Sequence, residues 1–96
     1  MRALNDCIKE DKSEADKMFK KLKFKKLESP VMNYFEYTQN VKNGEMAVIS
    51  FDKGTKTIMS ALYVEGVFNS RGLAITPKEV QAIYEKCKEL GWLWQR

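Results

Sequence analysis

Six lysines fall within ten positions, Lys17, Lys20, Lys21, Lys23, Lys25 and Lys26, with Phe19 and Phe24 among them and no acid between. Ammonium groups at that density can track a phosphate backbone, and interleaved aromatics can stack on bases. Arg71, in Asn69-Ser70-Arg71-Gly72, could add an anion contact through its guanidinium and the neighbouring backbone N–H groups. The plainer reading of the lysine segment is a solvated helix face that keeps the chain soluble. Lys17, Lys20 and Lys21 lie opposite the apolar arc, and no arginine, the commoner reader of bases, stands among them. The positive excess is confined to this segment: residues 1–16 sum to −2, residues 17–26 to +6 and residues 27–96 to zero, for a formal charge of +4.

Other chemistry is excluded by residue type. The chain has no histidine, which removes Ser-His-Asp and Cys-His catalysis, His-based zinc sites and a histidine pH switch. Cys7 and Cys87 are 80 positions apart and form no Cys-x-x-Cys motif. Cys87 falls on an apolar helix stripe, where an inert core thiol is the expectation. Glu36, Glu45, Asp52 and Glu65 stand in strands or turns with no partner the sequence can place, so no acid/base pair is expected. No catalytic residue, metal ligand or cofactor site is therefore assigned. The remaining candidate is the tail Gly91-Trp92-Leu93-Trp94, where tryptophans either anchor an interface or seal the end of the last helix.

The length of 96 residues, with 44% apolar and 31% charged side chains, suits one small domain, residues 1–96, with residues 1–12 as a less ordered extension of the first helix. Leu4, Cys7, Ile8, Ala15, Met18, Phe19 and Leu22 share one arc at helical spacing. Ser13-Glu14-Ala15-Asp16 resembles a helix start, so either one helix runs from about residue 2 to 23 or a second begins at Ser13. Three β-rich runs follow: 31–41, 46–51 and 57–64, with residues 24–28 as the candidate fourth strand. Asn43-Gly44 is the favoured dipeptide of a two-residue hairpin, and Asp52-Lys53-Gly54-Thr55 marks a second tight turn. Residues 65–75 form a connection of about ten residues. Thr76-Pro77-Lys78-Glu79 is a capping box, Val80, Ile83, Tyr84, Cys87 and Leu90 form one apolar stripe, and Gly91 stops the helix. The expected fold is α+β: an N-terminal helix, a three- or four-stranded antiparallel meander and a C-terminal helix packed on the sheet.

The Asn43-Gly44 turn implies a register in which Val41 pairs with Met46 and Gln39 with Val48, leaving Thr38 opposite Ile49 and Glu36 opposite Phe51. Apolar side chains then occupy both faces. Either the sheet is covered on both sides, one face meets a partner, or a bulge shifts the register. On the partner reading, the contact is made by Tyr34, Glu36, Thr38, Ile49 and Phe51, or by Trp94 in the tail. An exposed apolar face would also show as dimerisation of the pure protein.

Met18-Phe19-Lys20-Lys21-Leu22, Asp52-Lys53-Gly54-Thr55-Lys56-Thr57-Ile58 and the run Ile75 to Trp92 together resemble small proteins of no assigned function encoded by phages and prophages of low-GC Gram-positive bacteria. The likeness spans residues 15–92. It departs at Lys23, where that pattern has glycine, and residues 1–12 look additional. The resemblance implies a non-enzymatic accessory protein that binds a host or phage protein, with a host defence system such as a CRISPR nuclease as one target class. The alternative expectation is a nucleic-acid-binding protein using the lysine segment. No uncharged stretch in the strand-rich middle exceeds the eight residues Thr57 to Val64, too few to cross a bilayer, and no leader pattern opens the chain. The expected location is the reducing cytoplasm of a bacterial host.

Overall fold

The computed structural model describes residues 13–28, 31, 33–66 and 71–94, the side chains of Arg71 and Trp94 excepted. The chain is α+β. Helix α1 (Glu14–Lys21) is followed by strands β1 (Lys25–Glu28), β2 (Tyr34–Lys42), β3 (Glu45–Asp52), β4 (Thr57–Val64) and β5 (Arg71–Gly72). Helix α2 (Pro77–Leu90) and a 3-10 turn (Trp92–Trp94) complete the described chain. The fold divides into a helical unit, holding α1 and α2, and a sheet unit, Phe24–Ile75.

In the helical unit, Ser13 has extended backbone (φ −70°, ψ 128°), and its Oγ accepts the Asp16 N–H at 3.1 Å. Helix α1 therefore starts at Ser13, and a helix continuous through that residue is ruled out. The residues of the expected earlier turns, Leu4, Cys7 and Ile8, lie outside the described residues. Ala15 and Phe19, four apart, are the buried positions of α1. Helix α2 carries the expected capping box. The Thr76 Oγ1 accepts the Glu79 N–H at 3.3 Å, and the Glu79 carboxylate accepts the Thr76 N–H at 3.0 Å. Gly91 leaves α2 in the left-handed region at φ 78°, where a glycine has no Cβ penalty. Lys23 leaves α1 by the same conformation at φ 75°, which costs a residue with a Cβ what it does not cost glycine.

The sheet is antiparallel in the order β1-β2-β3-β4-β5. The Asn43-Gly44 turn forms as expected, with Lys42 opposite Glu45. The register then shifts, and Asn40, not Val41, pairs with Met46. Val41 is the extra residue of a bulge. A one-residue slip moves every later side chain to the opposite face. Tyr37 consequently pairs with Ile49 and Phe35 with Phe51, while Thr38 pairs with Val48 and Glu36 with Ser50. The β3–β4 turn is built by Asp52, whose Oδ1 accepts the Gly54 and Thr55 N–H groups at 2.9 and 3.2 Å. Of the 65–75 connection, Arg71–Gly72 adds a short edge strand against Ala61 and Leu62.

The bulge sorts the sheet's apolar residues. Phe35, Tyr37, Ile49 and Phe51 share one face and are all buried. Phe35 stacks on Phe51 with centroids 5.0 Å apart, and Tyr37 meets both rings edge-on at 5.8 and 5.7 Å. Burial of each such side chain is worth about 1.5–3 kcal/mol, so this cluster anchors the sheet. Lys26 and Lys53 lie 5.1 and 5.6 Å from the Phe35 centroid, and Glu28 pairs with both at 3.7 Å. Edge strand β1, Lys-Lys-Leu-Glu, is thus charged, which discourages strand addition there.

Candidate functional site

The feature that departs most from apolar patterning lies in the helical unit. The stripe of α2 contains Val80, Ile83, Tyr84, Cys87 and Leu90, yet Val80 and Tyr84 are 53% and 52% exposed. The buried positions are Ala82, Lys86 and Cys87. At 100° per residue, the inward face is turned roughly 80° from the stripe's centre. The helix thus buries a lysine and leaves a valine and a tyrosine outside.

Charge pairing accounts for that rotation. The Lys86 ammonium, 6% exposed as a residue, lies 3.2 Å from an Asp16 carboxylate oxygen and 3.3 Å from Glu89 Oε1. Glu89 also caps α1 across the helix pair. Its Oε1 accepts the Ser13 hydroxyl at 2.6 Å and its Oε2 accepts the Ala15 N–H at 2.9 Å. Burial pushes the Glu89 carboxyl up, but the Ser13 hydroxyl, the Ala15 amide and the Lys86 ammonium together hold it below the usual glutamate range. A buried charge is tolerable only when paired and hydrogen-bonded, as Lys86 is here. The start of α1 meets the end of α2 through this network, so the helices run antiparallel.

At the other end of the pair, Met18 of α1 and Leu22, its C-cap, stand beside α2. Two depressions lie there: one of about 520 Å³ lined by Met18, Val80, Gln81, Tyr84 and Glu85, the other of about 300 Å³ lined by Met18, Lys21, Leu22, Lys78 and Gln81. They share Met18 and Gln81 and so adjoin along the helix pair as a shallow groove, with Met18, Leu22, Val80 and Tyr84 as the apolar part of its lining. Lys88 pairs with Glu85 at 3.1 Å and stands 5.4 Å from the Tyr84 ring centroid. Amphipathic grooves of this kind receive partner side chains, and methionine adapts well to varied shapes.

The sequence-derived contact face is reorganised by the bulge. Ile49 and Phe51 are fully buried, on the face of Phe35 and Tyr37, and are corrected from surface contacts to core. Tyr34, Glu36 and Thr38 occupy the other face, where Thr38, Val48 and Ala61 are also buried. Leu27, Met46, Met59 and Tyr63 are the exposed apolar residues of that face. Trp94 belongs to the 3-10 turn, and its side chain lies outside the described residues, as do the side chain of Arg71 and residues Asn69 and Ser70.

Lys17, Lys20, Lys21, Lys23 and Lys25 are exposed, while Lys26 is engaged with Glu28 and the Phe35 ring. Four of the six belong to the helical unit and Lys25 and Lys26 to the sheet unit. Cys87 is buried, and burial pushes its thiol pKa up, the opposite of what a nucleophile requires. Among the described residues no group of three metal-ligating side chains converges, and no helix is long and apolar enough to cross a membrane. The groove was missed in the sequence because Val80 and Tyr84 read as core, and Lys86, off that stripe by the helical period, carries no local mark of burial.

No family model, curated protein or solved structure matches the chain.

Proposed function

We propose that this chain is a non-enzymatic accessory protein that acts by binding one other protein through the groove between its helices. The observation that carries the reading is the outward placement of Val80 and Tyr84 beside Met18 while Lys86 is drawn inside. Leaving a large aromatic and a β-branched side chain half in water forgoes burial worth about 1 kcal/mol or more each. A partner that covers them recovers it. The likeness to phage- and prophage-encoded proteins supports a host or phage protein as the partner, with a defence nuclease among the target classes, in the cytoplasm of a bacterial host.

The test is a pull-down by the tagged full-length chain from host lysate, with and without nuclease, beside a Val80→Ser/Tyr84→Ser variant of unchanged melting behaviour. A single protein retained after nuclease and lost with the variant supports the reading. Retention indifferent to the variant refutes it. A second reading, nucleic-acid binding, is favoured by the exposure of Lys17, Lys20, Lys21, Lys23 and Lys25. It predicts ribosomal and nucleoid proteins that vanish with nuclease, and an affinity that falls steeply with salt.

A further inference from the structure

Resting on the reading of the groove as a docking site, we infer that its occupant is an acidic amphipathic helix of the partner protein. The apolar lining is two pairs of side chains at i, i+4 spacing, Met18 with Leu22 at the end of α1 and Val80 with Tyr84 on α2, with Gln81 shared by the two depressions. Two antiparallel helices expose a trough that a third helix fills, ridge into groove. From Lys78 to Glu85 the trough runs about 11 Å, or two helical turns, enough for two or three apolar side chains of one helix face. An extended strand gains little here, because the backbone groups of α1 and α2 are spent within the helices and offer it no ladder.

Charge sets the sign of the occupant. Lys21 and Lys78 line the groove itself, and Lys17 stands exposed one position before Met18. Among the described residues no carboxylate pairs with Lys21 or Lys78. The single acid of the lining, Glu85, is already taken by Lys88. The apolar lining is therefore flanked by ammonium groups, and an incoming helix satisfies them with glutamates or aspartates beside its leucine-type stripe. A basic helix meets repulsion at the same positions. A nucleic acid would leave the apolar lining uncovered.

The experiment uses the full-length chain and three synthetic peptides of about 16 residues, long enough to support helix formation. Two share a leucine stripe at i, i+4, one flanked by glutamates and the other by lysines; the third has the glutamate composition with its leucines dispersed. Fluorescence anisotropy reads binding. The glutamate-flanked peptide should saturate and weaken with salt, and the other two should bind at least about tenfold more weakly. Tyr84→Ala should weaken it by about 30-fold or more, as truncation of a central aromatic anchor does. Lys21→Glu/Lys78→Glu should weaken it about tenfold and raise the affinity for the lysine-flanked peptide. All of these positions are at the surface, and unchanged thermal melts exclude a folding defect.

Equal or tighter binding of the lysine-flanked or dispersed peptide overturns the inference, and so does no binding at all. So does self-association in sedimentation velocity that Tyr84→Ala abolishes, which assigns the groove to a second copy. If Tyr84-dependent capture of a cellular protein stands while the glutamate-flanked peptide fails, the docking reading survives and only the acidic-helix inference falls.

Discussion

Replacing Lys86 with methionine keeps the side chain's length and packing but removes its charge. The ammonium lies 3.2 Å from Asp16 and 3.3 Å from Glu89. At an effective dielectric of about 20, each pair represents roughly 5 kcal/mol of gross attraction, most of it offset by desolvation. Removing one partner of a buried pair costs about 3–5 kcal/mol, because the other is left uncompensated. Asp16 is 14% and Glu89 31% exposed, so solvent recovers part of this and the expected loss is about 2–4 kcal/mol. For a chain of this size that lowers Tm by roughly 10–25 °C. Thermal and urea unfolding followed by circular dichroism give both numbers. The double variant Lys86→Met/Asp16→Asn, which removes the stranded carboxylate, should recover about half of the loss. A Lys86→Met protein within 0.5 kcal/mol of the parent, on the ~±0.5 kcal/mol scale of neutral surface changes, would refute the argument that this network sets the rotation of α2. So would a double variant no more stable than the single.

Four further outcomes follow from the same geometry. Lys23→Gly should stabilise the chain by about 0.5–1 kcal/mol, measured by urea midpoint, because φ 75° penalises a side chain there; Gly91→Ala should cost about 1 kcal/mol for the converse reason. Thr76→Ala should cost about 1 kcal/mol through loss of the capping box of α2, read by the same denaturation. The Glu89 carboxyl is held below its ordinary range, so its stabilisation is complete above the unfolded glutamate pKa and is lost as pH falls through the lower folded value. Melting temperature against pH should therefore show a shallower acid limb in Glu89→Gln than in the parent.

The elements governed by local chemistry were legible in the sequence. Thr76, Pro77, Glu79 and Gly91 mark both ends of α2, and Asn43-Gly44 marks its hairpin, because caps and tight turns depend on a few adjacent residues. Two features were not. The bulge at Val41 carries no glycine or proline to announce it, and its effect is propagated by the period of two: one extra residue turned Ile49 and Phe51 from presumed contacts into core. The rotation of α2 depends on Asp16, 70 positions from Lys86, and no helical period reveals such a pairing. Val80 and Tyr84, core by the helical period, are surface for that reason. Lys23 is a third case, since nothing in the lysine run shows that one member must adopt the left-handed conformation.

The central claim is that the interhelical groove docks a protein. Its most direct test is Tyr84→p-benzoylphenylalanine in the full-length chain, expressed in the host and irradiated, beside the same substitution at Tyr63 on the sheet. The account predicts one discrete adduct with a host or phage polypeptide from position 84 and none from position 63. Adducts from position 63 alone, or nuclease-sensitive adducts from position 84, would contradict it.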